Sequence, residues 1–179
     1  MNKKLVVLIM GLIVLTALFL RIRSSLPVLR VEGENFHWED FSKIKSGLAR
    51  FRDLNKDNVS DLDIERGVLM SYVEDTLIKK ELEKRGNGND IVEKMVSGTI
   101  SPEERGKIEN ATAQLYGWTI EDFEKIVLAP QARRTLLDEE LQKENTDFET
   151  WLEKSQKEAK ISIYLWRWKW SGTEVKERF

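Results

Sequence analysis

Apolar residues along this chain follow three different rhythms, and each rhythm predicts a different kind of element. Residues 5–20, LVVLIMGLIVLTALFL, are apolar almost without interruption and carry no charge. Between residues 36 and 159 apolar positions recur every three or four residues, the repeat of amphipathic helices. From Ile161 to Trp170 they alternate with period two, the repeat of a strand.

The helical stretch divides at its caps and breakers. Residues 26–33, LPVLRVEG, are short, β-branched and bounded by Pro27 and Gly33, which predicts a strand followed by a turn over Gly33-Glu34-Asn35. Phe36, Phe41, Ile44, Leu48, Phe51 and Leu54 predict a helix over 38–54. Ser60 with Asp63 has the spacing of a capping box and opens a helix over 61–85. Its stripe is Ile64, Val68, Leu69, Tyr72, Val73, Leu77, Ile78 and Leu82, and Gly86-Asn87-Gly88 ends it. A short helix follows over 90–96, with Ile91, Val92, Met95 and Val96 apolar.

Ser101-Pro102-Glu103-Glu104 is a helix start, with Ile108, Ala111, Thr112 and Leu115 expected inward and Gly117 at the end. Thr119 with Asp122 starts another helix through Phe123, Ile126 and Val127. Pro130 predicts a break or kink before Leu136, Leu137 and Leu141. Asp147 caps a last helix carrying Phe148, Trp151, Leu152 and Ala159. In the closing run Ile161, Ile163 and Leu165 fall on one face and Tyr164, Trp166, Trp168 and Trp170 on the other. A lone strand cannot satisfy its backbone, so this one should pair with residues 28–32. The expected fold is mainly α, an N-terminal transmembrane helix followed by a helical domain whose chain ends are joined by a small two-stranded sheet.

Sixteen helical residues span about 24 Å, short of the ~30 Å hydrocarbon core. Lys4 and Arg21 flank the run and close the gap by snorkelling. The rival reading is a cleaved signal peptide with MNKK as its basic start. Its cleavage candidates, Leu15-Thr16-Ala17 and Arg23-Ser24-Ser25, place poor residues at −3. A retained anchor is the expectation: residues 1–25 as cytoplasmic tip and single-pass signal anchor, 26–170 as an extracytoplasmic domain, and 171–179 as a tail. The bilayer would be a partner through residues 5–20.

Composition narrows the chemistry. Lys3 and Lys4 are two of the 29 basic residues, leaving 27 against 31 acidic ones beyond the apolar run, a net charge of −4. Both signs are interspersed, so no field suited to nucleic acid arises. The chain has no cysteine, which removes disulfides, thiol nucleophiles and thiolate metal sites. Its single histidine, His37, excludes a multi-histidine metal cluster. His37 beside Glu39 and Asp40 is better explained by a helix start with acids at the positive dipole end than by an acid–base dyad. Glu103-Glu104 and Glu139-Glu140 are solvated helix faces. No phosphate loop or nucleophile elbow occurs, so neither a catalytic residue, a cofactor nor a metal is expected.

Four segments, in order, resemble the SurA-type and PrsA-type chaperone N-terminal domain. VLRVEGENFHWEDFSKI (28–44) resembles its "V-N-G-E-x-I-T-x-x-E-F" opening, with Glu32 where the family prefers Asn. LMSYVEDTLIKKELEKRG (69–86) is similar to its "L-I-x-x-x-L-x-x-x-x-A-x-x-x-G" helix. LYGWTIEDFEKIVLAPQARRTLL (115–137) is similar to its "Y-G-W-T-x-x-D-F" helix, and WLEKSQKEAKISIY (151–164) to its returning helix and strand. Residues 90–96 have no recognisable counterpart. Such proteins often carry a parvulin prolyl isomerase domain between the last two segments, and here only residues 138–146 separate them. The resemblance therefore implies a membrane-anchored, extracytoplasmic, non-enzymatic chaperone-like protein whose partners are exported, partly unfolded polypeptides. The alternative is an anchored adaptor with one fixed protein partner. The surface candidates are Tyr164, Trp166, Trp168 and Trp170, which pack on a helix, sit at a membrane interface or contact client polypeptides. Binding of single-stranded nucleic acid by this aromatic–basic run is opposed by the net charge.

Overall fold

The computed structural model describes residues 25–179. The expected anchor over 5–20 lies outside the described residues, and no helix among those described is long and apolar enough to cross a membrane. The described chain is mainly helical, with two small antiparallel sheets.

Helices α1 (Trp38–Asn55) and α2 (Asp61–Lys84) form as their periodicity requires. The Ser60 hydroxyl accepts from the Asp63 N–H and starts α2. The stripe on α2 is buried almost entirely, and the helix serves two cores in succession. Its first half gives Ile64, Val68, Leu69, Val73 and Leu77 to a core shared with the strands and Phe41. Ile78 and Leu82 enter a second core with Val92, Leu136, Leu137, Leu141, Phe148 and Leu152.

Strand β1 (Pro27–Val31) pairs with β2 (Glu34–His37), a strand at the place where only a turn was expected. The turn is tighter than predicted. Val31 pairs with Glu34, leaving Glu32 (φ 48°) and Gly33 (φ 89°) as the two loop residues. Both have positive φ, the geometry that matches the twist of a two-residue hairpin. Glu32 is a non-glycine residue in that region. Its N–H donates to the Lys160 carbonyl, and its carboxylate accepts from the Lys160 N–H.

The chain ends do pair: β1 lies antiparallel to β3 (Ile161–Ile163), with Leu29 opposite Ile163. The sheet is three-stranded, in the order β2-β1-β3, rather than two-stranded. The expected strand over 161–170 is also not continuous. Beyond the bond from the Tyr164 N–H to the Val28 carbonyl, the next bonding position on β1 is Leu26, whose carbonyl accepts from the Trp38 N–H instead, and the ladder ends. The chain turns there, with the Trp168 N–H donating to the Leu165 carbonyl. It resumes as β4 (Trp168–Trp170), paired with β5 (Val175–Glu177) inside the supposed tail.

Helices α3 (Asn89–Thr99), α4 (Pro102–Leu115), α5 (Ile120–Phe123), α6 (Ala129–Lys143) and α7 (Phe148–Glu158) complete the domain. Two expectations are corrected here. Pro130 does not break its helix, and the irregularity expected beside it takes the form of a π turn. Residues Glu124–Leu128 form a π-helical turn in which the Ala129 N–H reaches the Glu124 carbonyl, and the backbone stays helical from α5 into α6. The widened turn takes up the irregularity next to a residue lacking an N–H. Helix α4 is nearly bare: Ala111 and Leu115 are exposed, Ile108 is half-buried and only Thr112 is buried.

Candidate functional site

The segment Tyr116-Gly117-Trp118-Thr119 fixes α5 to α1, and each residue does so differently. Gly117 takes φ 72° and ends α4. Tyr116 stacks between Phe51 (centroids 4.9 Å) and Trp118 (4.6 Å). Trp118 is buried against Gly47 on α1, where a β-carbon would lie 2.2 Å from its indole nitrogen, and that nitrogen donates to the Lys43 carbonyl at 3.2 Å. Thr119 and Asp122 form a reciprocal capping box at the start of α5.

Lys43 then donates to Asp122 Oδ1 at 2.8 Å. That hydrogen bond, reinforced by the Thr119 N–H, holds the Asp122 carboxyl below the usual aspartate value despite its partial burial. Asp61, Asp63, Glu144 and Asp147 are lowered likewise by their own hydrogen-bond partners. A carboxyl with a depressed folded-state pKa stabilises the fold above its unfolded value of about 4. That contribution disappears as pH falls through the folded-state value. Thermal melts should therefore show a midpoint that is flat near neutrality and drops below about pH 4. Asp122→Ala should cost about 1 kcal/mol at pH 7 and show a smaller acid-induced drop. An unchanged midpoint down to pH 3 would contradict these pairings.

This docking holds one wall of a cleft of about 520 Å³ between α3 and the α5–α6 helix. Val92, Val96 and Ala129 supply its apolar surface, and Glu93 and Ser97 of α3, Arg105 of α4, and Glu121, Glu124, Lys125 and Arg133 form a charged and polar rim. The rim cations are already engaged. Arg105 pairs with Glu124 at 2.7 Å and Glu121 at 3.4 Å, and Lys125 with Asp40 at 3.4 Å. Arg133 grips Asp75 of α2 with two bonds of 2.7 Å. With its cations paired, the rim has little positive charge left to select an anionic ligand, and the volume suits a few apolar side chains. A second hollow, about 600 Å³, lies between α2 and α7 beside Glu32 and is lined mostly by Lys and Glu.

The aromatic run is divided by the turn after β3. Tyr164 (53% exposed) and Trp166 (70%) point to solvent, whereas Trp168 is 1% exposed and Trp170 is half-buried. Trp168 is therefore a core residue and not a contact surface. Its indole nitrogen donates to Glu65 Oε2 at 3.0 Å, and Val175 of β5 is buried in the same core. The turn reverses the phase of the alternation, so residues two apart no longer share a face. In place of Trp168 the structure sets Phe179, 89% exposed, beside Trp166 with ring centroids 5.8 Å apart. The Arg167 guanidinium lies 5.8 Å from the Trp166 ring centre.

Compared with known protein families, with curated proteins and with solved structures, the chain matches none of them.

His37 stands where β2 meets α1, half-buried and without a side-chain cap bond. Among the described residues no group of three or more His, Cys, Asp or Glu side chains is arranged to hold a metal ion. Sequence reasoning did not find the cleft, because its lining comes from four helical segments whose packing no single periodicity reveals. It had noted Val92 and Val96 as apolar positions of a short helix. It missed Phe179, which carries no motif and gains meaning only from β5 turning back along β4.

Proposed function

We propose that this chain is a membrane-anchored, extracytoplasmic chaperone-like protein that binds exported, partly unfolded polypeptides and performs no chemistry on them. The observation that carries this reading is the cleft between α3 and the α5–α6 helix: apolar along Val92, Val96 and Ala129, with rim cations committed to internal ion pairs. Burying a client's apolar side chains there releases roughly 25 cal/mol per Å². A cleft of this size covers only a few side chains, which keeps affinity modest and lets clients leave. The four-segment resemblance to the SurA-type and PrsA-type domain supports the same reading, and the uncharged run over 5–20 supports the anchor.

The test is aggregation of several unrelated denatured proteins, followed by light scattering, with residues 25–179 added in increasing amounts. Both cores are built from residues 28–175, so this unit contains them whole. Suppression of aggregation for most of these proteins is the expected result. Saturable binding to one folded partner, with no effect on any denatured chain, would favour an adaptor and overturn the proposal.

A further inference from the structure

We infer that the turn carrying Trp166, together with Phe179, is a seat for the lipid headgroup layer, so that the domain rests on the bilayer at one end while its cleft stays clear; this rests on the reading of residues 5–20 as a retained anchor.

Three observations converge on lipid as the occupant. The first is exposure: Trp166 at 70%, Phe179 at 89% and Tyr164 at 53% crowd one turn at the edge of the domain. Single exposed apolar residues are ordinary, but a paired Trp and Phe with a neighbouring Tyr form a patch.

The second is the reach of the chain. The apolar run stops at residue 20 and β1 begins at Pro27. The six residues 21–26 between them extend at most about 22 Å, which ties the start of β1 close to the membrane. The turn lies at that same end of the sheet. The Tyr164 N–H bonds to the Val28 carbonyl at the start of β1, and Leu26, which precedes β1, is itself 52% exposed.

The third is charge. The described domain is acidic overall, yet the turn and the β4–β5 hairpin leading to Phe179 carry Arg167, Lys169, Lys176 and Arg178 against Glu174 and Glu177, a net of +2. Aromatic rings flanked by basic side chains match a layer where indole and phenol rings sit at headgroup level and cations meet lipid phosphates.

The cleft is remote from this seat. Trp168, next to the turn, bonds to Glu65 near the start of α2, whereas Val92 of the cleft packs with Ile78 and Leu82 near its end. Glu65 and Leu82 are seventeen residues apart, about 25 Å along a helix. Seating the turn on lipid thus leaves the cleft open to clients.

The test uses the full chain reconstituted into phosphatidylcholine–phosphatidylglycerol vesicles, with and without lipids brominated high on the acyl chain. Emission from the wild type and from Trp166→Ser is compared, after flotation confirms vesicle association. The expected result is bromolipid quenching of the wild type that falls at least twofold in Trp166→Ser. Trp166 should also be protected from aqueous acrylamide in vesicles relative to the isolated 25–179 domain. Phe179→Ser, which leaves every tryptophan in place, should reduce that protection. Equal bromolipid quenching in wild type and Trp166→Ser overturns the seat. Protection that appears only when a denatured protein is added assigns the turn to clients and overturns it too. A chain that does not float removes the anchor reading and the seat together, while the cleft is judged separately by the aggregation assay on residues 25–179.

Discussion

Trp168→Ala should lower the unfolding free energy by about 3–5 kcal/mol, while Trp166→Ala should change it by no more than about 0.5 kcal/mol. The two tryptophans are separated by a single residue, and their surroundings differ completely. Trp168 is 1% exposed in the core formed by β1, α2 and β5. Truncating it leaves a cavity of aromatic size and removes the bond to Glu65, which Lys45 would then hold alone. Trp166 touches little besides Phe179 and Arg167. Since a small domain has about 5–15 kcal/mol in total, the first variant should be close to unfolding at 37 °C. Urea titration followed by circular dichroism separates the cases. Equal effects at both positions would mean that the chain does not turn at Leu165.

Gly47→Ala should destabilise the domain by about 1–3 kcal/mol or more, although the same change in an open helix gains about 0.5–1 kcal/mol. The sign reverses because the new β-carbon would lie 2.2 Å from Trp118 Nε1 and 2.3 Å from Cε2. The indole cannot retreat easily: it stacks on Tyr116 and donates to the Lys43 carbonyl. Trp118→Ala alone should cost about 3–5 kcal/mol. In that background Gly47→Ala should become neutral or stabilising, a strong coupling of the kind expected for residues in direct contact. Independent, additive effects would contradict the docking of Trp118 on α1.

Most helices were legible in the sequence from their apolar stripes, and three from their caps, although Ser101 does not cap α4 and its hydroxyl bonds Glu104 instead. Ser60, Thr119 and Asp147 all accept the backbone bonds that their positions implied. The pairing of the chain ends was legible as well, since two strand patterns flanked a helical chain and each needed a partner. What escaped was set by single backbone groups. The Leu26 carbonyl accepts from the Trp38 N–H, so the ladder that periodicity alone would continue to Trp170 ends at Tyr164, and Trp168 moves from surface to core. Pro130 was read as a break or kink, and the break is absent because a π turn just before it absorbs the irregularity, which the sequence does not announce. The hairpin at Glu32-Gly33 was hidden because Glu is an unusual residue for positive φ, and its tie to Lys160 lies 128 positions away. The bare surface of α4 escaped for the opposite reason: Ala111 and Leu115 have the right spacing, but nothing covers them.

The central claim is that the cleft between α3 and the α5–α6 helix holds unfolded polypeptide. Its most direct measurement is aggregation suppression by Val96→Glu compared with wild type and Trp166→Ser, all as residues 25–179 and all checked for an intact cooperative melt. Val96 is half-buried in the cleft wall, and a carboxylate there would have to be desolvated by any apolar client. The account predicts that Val96→Glu loses most of the suppression while Trp166→Ser keeps it. Full suppression by a folded Val96→Glu domain would contradict it.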